Sequence, residues 1–156
     1  MSRFISDHLP EPLHSALSRD RALASNRAIV ICTVDEHGWP HPAMLSTLEI
    51  IAIDARNVRL ATHVASRTTR NLKANGRLTL ILVDVGTAYY VKGDVRLLSA
   101  SMKTAPMLAM FNLRVDSVLA DDPQAYEDAR LTSGIVFERG PVDEQVVAAV
   151  LDELSR

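Results

Sequence analysis

A short polar stretch near the middle of the chain carries residue types that could bind phosphate. Ser66 suits the position before a helix, and Asn75 and Gly76 suit its end, so the sequence predicts a helix between them. Arg67 follows at once, although the helix macrodipole favours negative charge there. Backbone N–H groups, a guanidinium and the hydroxyls of Ser66, Thr68 and Thr69 would together bind an anion. A surface helix with a solvated arginine is the alternative interpretation.

Length and composition limit the classes of function. A chain of 156 residues with 47% apolar and 23% charged residues predicts a single soluble domain over residues 1–156. The formal net charge of −2 argues against a nucleic-acid binder. No apolar run approaches the roughly 18 residues of a membrane span. Because Cys32 is the single cysteine and no secretory signal is recognisable, we expect a cytoplasmic protein.

The segments around this helix predict a meander of antiparallel strands. They follow one another at hairpin spacing, without repeated strand–helix–strand units. We therefore expect a mainly β, α+β fold: a six-stranded barrel with flanking helices, in which curling the sheet removes exposed edges. The predicted strands are residues 28–34, 41–53, 58–62, 77–84, 88–98 and 111–119.

Helical segments are expected at both ends of the chain. Residues 1–27 predict an N-terminal arm with one helix, and residues 140–156 a C-terminal helix opened by Pro141. A short helix near residues 125–129 and a last strand at 134–138 are expected between them. The apolar residues of the C-terminal helix should share one face. They are Val142, Val146, Ala149, Val150 and Leu154.

Other polar residues give weaker indications. His37 and His41 are four residues apart, but Gly38 and Pro40 between them exclude pairing on a helix face. No set of His, Cys and carboxylate residues has metal-ligand spacing, so we expect no metal site. His63 adjoins the phosphate-binding turn and could be a ligand contact or a plain surface residue.

Three further residues predict local structure. Gly93, in the middle of a strand, predicts a bulge or a close approach to another group. Trp39 lies at a hairpin tip and would be exposed unless a second subunit or a ligand covers it. Cys32 lies in an apolar strand and is expected to be a small core residue, not a nucleophile.

Four motifs in order resemble a known family. They are the hairpin at residues 33–42, the strand–turn–helix at 61–72, and the strands beginning Arg-Leu-Thr-Leu at 77–80 and Tyr-Val-Lys-Gly-Asp-Val at 90–95. Their order and spacing resemble the pyridoxamine 5′-phosphate oxidase-like family of FMN-binding split β-barrels, over roughly residues 25–100.

The resemblance implies a homodimer with FMN in a cleft between the subunits. It implies three groups of cofactor-binding residues: at the phosphate, beside the phosphate and ribityl chain, and along the isoalloxazine edge. In that order they are Ser66, Arg67 and Thr68; Thr62 and His63; and Met44, Leu45, Ser46 and Thr47. Many members carry an Arg-Lys pair at the phosphate, so Thr68 replaces a cation that Arg70, one turn on, could supply.

The chain departs from the true oxidases at its C-terminus. Those enzymes end in a strand region with Arg and His residues for the vitamin substrate, whereas this chain predicts a helix. The resemblance implies an FMN-dependent oxidoreductase acting on a small organic substrate, and this departure argues against vitamin B6 as that substrate. The alternatives are a flavin-binding or electron-transfer module without turnover, and a split barrel that uses F420 or haem.

Overall fold

Eight antiparallel strands form one curled sheet in the computed structural model, which describes residues 1–84, 86–125 and 128–156. The strands are β1 (Arg3–Ser6), β2 (Ala28–Val34), β3 (Pro40–Ser46), β4 (Ile50–Ala52), β5 (Asn57–His63), β6 (Arg77–Val83), β7 (Ala88–Ser99) and β8 (Leu108–Asp121). Seven follow the order β3-β2-β6-β7-β8-β5-β4, and β1 pairs with the far end of β8. The sheet is the expected split β-barrel, although the path has seven strands where six were predicted.

Helices cover the sheet at its ends. They are α1 (Glu11–Ala16), α2 (Arg19–Ala22), α3 (Arg67–Asn75) and α4 (Glu144–Ser155), with 3₁₀ turns at Thr47–Glu49 and Pro123–Ala125. The N-terminal arm thus contains one strand and two short helices, so the prediction of a single helix was wrong. No helix among the described residues is long and apolar enough to cross a membrane.

The predicted strand at residues 41–53 was wrong, because the chain turns within it. The Ser46 N–H donates to the Glu49 carboxylate at 2.8 Å, which starts the 3₁₀ turn between β3 and β4. The Thr47 hydroxyl bonds the carbonyl of Ala22 at 2.8 Å, so Thr47 is drawn under the N-terminal arm. By contrast, the strand predicted at residues 28–34 is confirmed as β2.

The segment between β8 and α4 contains little of the predicted secondary structure. The strand predicted at residues 134–138 was wrong: one isolated bridge joins Arg27 to Val136. From Val30 onwards, β2 is already paired with β6. Few residues of β2 are therefore left for residues 134–138 to pair with. Of the helix predicted near 125–129, the structure shows a 3₁₀ turn ending at Ala125. Residues 126 and 127 lie outside the described residues.

The main core lies inside the curl of the sheet. A row across four strands, formed by Ile31, Leu80, Val91 and Val118, is 0% exposed. β6 was predicted to be buried on both faces, and this was wrong, since Leu78 and Leu80 are buried while Thr79 and Ile81 are only half-buried. Alternate burial on an antiparallel strand means that the outer face of the sheet is partly open to solvent.

α4 packs on a second apolar cluster outside the barrel. Val150, Leu151 and Leu154 are buried there in one cluster with Ile51 and Met102. The predicted apolar face was therefore right at Val150 and Leu154. It was wrong at Val142 and Val146, which are 42% and 50% exposed. α4 begins only at Glu144, after an Asp143 N-cap, so Val142 precedes the helix.

The prediction for Gly93 is confirmed. The pairing of β7 with β8 shifts register between Lys92 and Gly93. A Cβ atom at Gly93 would lie 1.9 Å from the backbone oxygen of Arg114. The bulge therefore requires glycine for space, since no side chain fits between the two strands.

Candidate functional site

The start and the end of α3 lie where local signals predicted them. Ser66 is the N-cap, and its Oγ accepts the Thr69 N–H at 3.1 Å. Gly76 ends the helix with a φ of 63°, and its N–H donates to the carbonyl of Leu72 at 3.0 Å. Residues with short polar side chains and a glycine determine both ends, so the sequence was sufficient to place this helix.

Most hydroxyls near the start of α3 bond to one another. The Thr69 hydroxyl donates to the carbonyl of His63 at 2.8 Å. Because that uses its one hydrogen, Thr69 Oγ1 must accept from Thr62 Oγ1 at 2.5 Å and from Ser66 Oγ at 3.2 Å. Thr62, Ser66 and Thr69 therefore tie β5 to α3, and their hydroxyl hydrogens do not point to a ligand.

Other groups at the helix start have no partner in the described part of the chain. The backbone N–H groups of Arg67 and Thr68 are not bonded there, as expected for a first helical turn. No hydrogen bond to the Thr68 hydroxyl, and no ion pair of Arg67 or Arg70, occurs among residues 1–84, 86–125 and 128–156. Arg67 and Arg70 lie one helical turn apart on the helix that presents these free donors. Guanidinium groups and helix N-terminal N–H groups are the kinds of group that bind a phosphate or carboxylate.

The face of α3 that carries both arginines borders a groove of about 370 Å³. The opposite wall is the turn between β2 and β3. The lining residues are Arg67, Arg70, Asn71, Ala74 and Asn75 from α3, and Val34, Asp35, Glu36 and His37 from the turn.

Asp35 organises the turn that forms the second wall. Its Oδ1 accepts the backbone N–H groups of His37 and Trp39, each at 2.9 Å. The Trp39 hydrogen bond is the main cause that lowers the pKa of Asp35, and the positive charge of Arg67 adds to it. The carboxylate is therefore ionised at neutral pH, and the charge of Arg67 across the groove stabilises it. Trp39 itself is 70% exposed.

Asn71 was missed at the sequence level. Its side chain is 6% exposed, lines the groove, and donates through Nδ2 to Thr33 Oγ1 at 3.0 Å. Helical spacing could have indicated it, because residue 71 follows Arg67 by four and shares its helix face. Its partner lies on β2, and no local signal predicts that contact.

His63, at the end of β5, is exposed. Its Nδ1 accepts the N–H of Ala65 at 3.2 Å. In the neutral ring the hydrogen is therefore on Nε2, which makes Nε2 a donor to solvent or a ligand. His63 lies next to the turn, as predicted, with one ring nitrogen already used.

The residues predicted to line the flavin ring have different environments. Met44 is 64% exposed, whereas Leu45 is 6% and Thr47 5% exposed. The Leu45 side chain belongs to the core, and that of Thr47 holds the N-terminal arm. Met44 and the half-buried Ser46 are the members on the outer side of the strand.

The backbone of β3 offers one free donor on its outer edge. Pro40 and Pro42 have no N–H, and strand alternation places the N–H groups of Met44 and Ser46 on the same edge. The Ser46 N–H is bound to the Glu49 carboxylate. The N–H of Met44 therefore remains, on an edge that no strand of the described chain pairs with.

The residues predicted at the phosphate and those predicted along the isoalloxazine edge lie some distance apart along the sheet. Met44 is opposite Val30, whereas Asn71 of α3 contacts Thr33. Three residues of strand span about 10 Å. A ligand contacting both groups would therefore be elongated, with its anion at α3 and its other end at β3. No group of three His, Cys, Asp or Glu side chains able to hold a metal occurs in the part of the chain described.

Sequence comparison matches this chain to a family model and to a relative. The family model described as pyridoxamine 5′-phosphate oxidase matches residues 19–132. The uncharacterized protein YclD of Bacillus subtilis (strain 168) is 34% identical over 131 residues, which cover 84% of this chain and 81% of YclD.

Solved structures show the same fold at low identity. A pyridoxamine 5′-phosphate oxidase-related, FMN binding protein from Nostoc punctiforme has a TM-score of 0.58 at 13% identity, covering 80% of this chain and 91% of its own. An F420 reductase has a TM-score of 0.50 at 16% identity, covering 64% of this chain and 94% of its own. With the family match over most of its length, the chain belongs to the pyridoxamine 5′-phosphate oxidase-like family of split β-barrels.

Proposed function

We propose that this chain is a cytoplasmic, homodimeric flavoprotein that binds FMN and catalyses a redox reaction on a small organic substrate. The observation that carries the proposal is the pair of guanidinium groups of Arg67 and Arg70 beside the first turn of α3. Neither is ion-paired within the described chain, and both face one groove. Two unpaired cations beside free N–H groups match the charge and the acceptors of a phosphate monoester.

The residues present fit the phosphate end of FMN. The N–H groups of Arg67 and Thr68 and the Thr68 hydroxyl would donate to phosphate oxygens, and the guanidinium groups would neutralise their charge. The Ser66 hydroxyl acts indirectly, by capping the helix that presents these groups.

The ring end has a more limited fit. The free N–H of Met44 could donate to a ring oxygen or nitrogen, whereas the Ser46 N–H is already bound to Glu49. When bound, FMN supplies the electron-transfer chemistry. The chain's part is to bind and orient the group, and this accounts for a site without a catalytic acid–base pair.

The outer face of the sheet supports a homodimer. A row of apolar side chains crosses five strands there, directly outside the buried row of the core. It consists of Met44, Val30, Ile81, Tyr90 and Leu119. Beside it lie Arg77 and Lys92 together with Asp94 and Asp116. Charges of both signs around an apolar strip suit a two-fold contact, in which each patch meets its own copy.

F420 is the second candidate cofactor. It also carries a phosphate on its polyol chain, and the groove continues along α3 beyond Arg67 to Asn75. That extra length favours a ligand that continues beyond its phosphate group, whereas FMN ends at its phosphate. The F420 reductase structure shares the fold with this chain.

Titration of the purified protein with FMN tests the proposal. Arg67→Ala should weaken FMN binding about 10- to 100-fold. This factor corresponds to the free energy that a hydrogen bond to a charged group usually contributes. Lys73→Ala removes one cation from the same helix at a residue that does not line the groove, so it should leave the affinity unchanged. Equal affinities for wild type and Arg67→Ala would refute the assigned phosphate site.

A second measurement separates an enzyme from a carrier. Reduction of bound FMN by NADH or NADPH, followed by reoxidation by an added substrate, would support turnover. FMN that is bound but reduced by neither donor would favour the flavin-binding module. Stronger retention of F420 than of FMN would favour the second cofactor.

A further inference from the structure

The turn that leads into α3 is attached to more than one neighbour. His63, the last residue of β5, is paired with Leu108 at the start of β8. The Val64 N–H then donates to the carbonyl of Met107 at 2.8 Å. Residues 63–66, which present the first turn of α3, therefore rest on the segment that joins β7 to β8. This segment, residues 100–107, is called the β7–β8 loop below.

The β7–β8 loop is internally braced. The Met102 N–H donates to the carbonyl of Leu108 at 2.8 Å, and the Leu108 N–H donates to the carbonyl of Ala105 at 2.9 Å. The Ser101 hydroxyl bonds the carbonyl of Pro106 at 3.0 Å. Because these bonds join the two halves of the loop, we expect a displacement of Lys103 or Thr104 to be transmitted to Met107.

The C-terminal helix holds this loop through one carboxylate. Glu153 Oε1 accepts the N–H of Lys103 at 2.8 Å, and Oε2 accepts the N–H of Thr104 at 2.8 Å and its hydroxyl at 2.6 Å. Beneath these bonds, Met102 is 1% exposed and packs in the cluster with Leu151. All three hydrogen bonds have an ionised acceptor, and such bonds are stronger than hydrogen bonds between neutral groups.

We propose that Glu153 is a positioning residue for the cofactor turn. Its carboxylate holds Lys103 and Thr104, the braced loop holds Met107, and Met107 holds Val64 before Ser66. This inference rests on the proposed function for its link to FMN. It gives a role to α4, which occupies the part of the chain where the sequence departs from the true oxidases.

Two substitutions in adjacent residues of α4 test the proposal. Glu153→Gln removes the charge that binds the loop. Asp152→Asn removes the same charge one residue earlier, where the side chain pairs with Arg19 and not with the loop. Amide hydrogen exchange is measured at Val64 in the FMN-free protein, and FMN affinity by titration. Glu153→Gln should speed exchange at Val64 on the order of tenfold and weaken FMN binding several-fold. Asp152→Asn should do neither.

The outcomes separate this inference from the proposed function. Unchanged exchange at Val64 in Glu153→Gln refutes the coupling, whether or not FMN binds. Faster exchange with unchanged FMN affinity refutes the positioning role. If the wild-type protein binds no FMN, the proposed function fails and the exchange result alone decides whether Glu153 holds the turn. Should Glu153→Gln not fold, Thr104→Val, which removes the 2.6 Å bond alone, provides the same comparison.

Discussion

The Thr33 hydroxyl determines which way the Asn71 amide faces. Thr33 Oγ1 donates its one hydrogen to the carbonyl of His41 at 3.3 Å, so towards Asn71 it can only accept. The 3.0 Å contact must therefore come from Asn71 Nδ2. This leaves Asn71 Oδ1 as an acceptor with no hydrogen bond in the described part of the chain, on a side chain that lines the groove together with Arg67 and Arg70. A ligand with a hydroxyl close to its anion, such as a polyol phosphate, would satisfy it.

Asn71→Ala should destabilise the protein by about 1–2 kcal/mol. Alanine gives no hydrogen to Thr33 Oγ1, and it leaves a gap where the native side chain is 6% exposed. Urea unfolding would measure the difference. Lys73→Ala, two residues on and exposed, is the control and should change the stability by well under 1 kcal/mol. Equal midpoints for wild type and Asn71→Ala would contradict the assigned hydrogen bond.

Met44→Asp should convert the proposed dimer into monomers. Met44 is 64% exposed in the single chain, so the substitution sacrifices little burial within the protomer but places a charge on the proposed contact face. Val146→Asp is the control, at a residue 50% exposed on α4 and outside that face. Analytical ultracentrifugation would measure the masses. A monomeric wild type, or a Met44→Asp variant that stays dimeric, would rule out this face.

Gly93→Ala should destabilise the fold by about 2–3 kcal/mol or more, because its methyl group would overlap the backbone oxygen of Arg114 at 1.9 Å. Backbone cannot move aside as the end of a side chain can. Gly140→Ala is the matched control, since a Cβ there meets nothing within 4 Å. Thermal unfolding of the two variants would separate them. A melting temperature for Gly93→Ala equal to that of Gly140→Ala would argue against the bulge.

Asp7 should titrate at unusually low pH. Hydrogen bonds from His8 and from Arg56, in that order, lower its pKa from 3.8 to about 2. The folded pKa lies below the unfolded one, so Asp7 contributes stability above about pH 4 and loses it as pH falls towards 2. Asp7→Asn should therefore be less stable than wild type at neutral pH, with the difference shrinking below about pH 4 and vanishing only below about pH 2.

Carbon-detected NMR of the Asp7 carboxyl group would give its pKa directly. Arg56→Gln removes the 2.7 Å ion pair and should move that pKa upwards, towards 3.8. A wild-type pKa already near 3.8 would show that the contacts with His8 and Arg56 do not persist in solution.

How far the sequence predicted the site depends on the range of the interactions. The ends of α3 depend on Ser66 and Gly76, neighbours along the chain, and both were predicted. The break after β3 depends on Thr47 bonding Ala22, which lies 25 residues earlier. Asn71 likewise depends on Thr33, 38 residues away. Contacts of this kind follow from the fold, and no local pattern shows them.

The prolines of β3 have a consequence for aggregation. An exposed sheet edge can recruit strands from other molecules, and long flat edges are the most dangerous. Pro40 and Pro42 remove two donors from this edge, and Glu49 occupies that of Ser46. A strand from another molecule could accept only the Met44 N–H from this edge, whereas a β-ladder needs several backbone hydrogen bonds. The edge can therefore stay open to a small molecule without becoming a template for fibres.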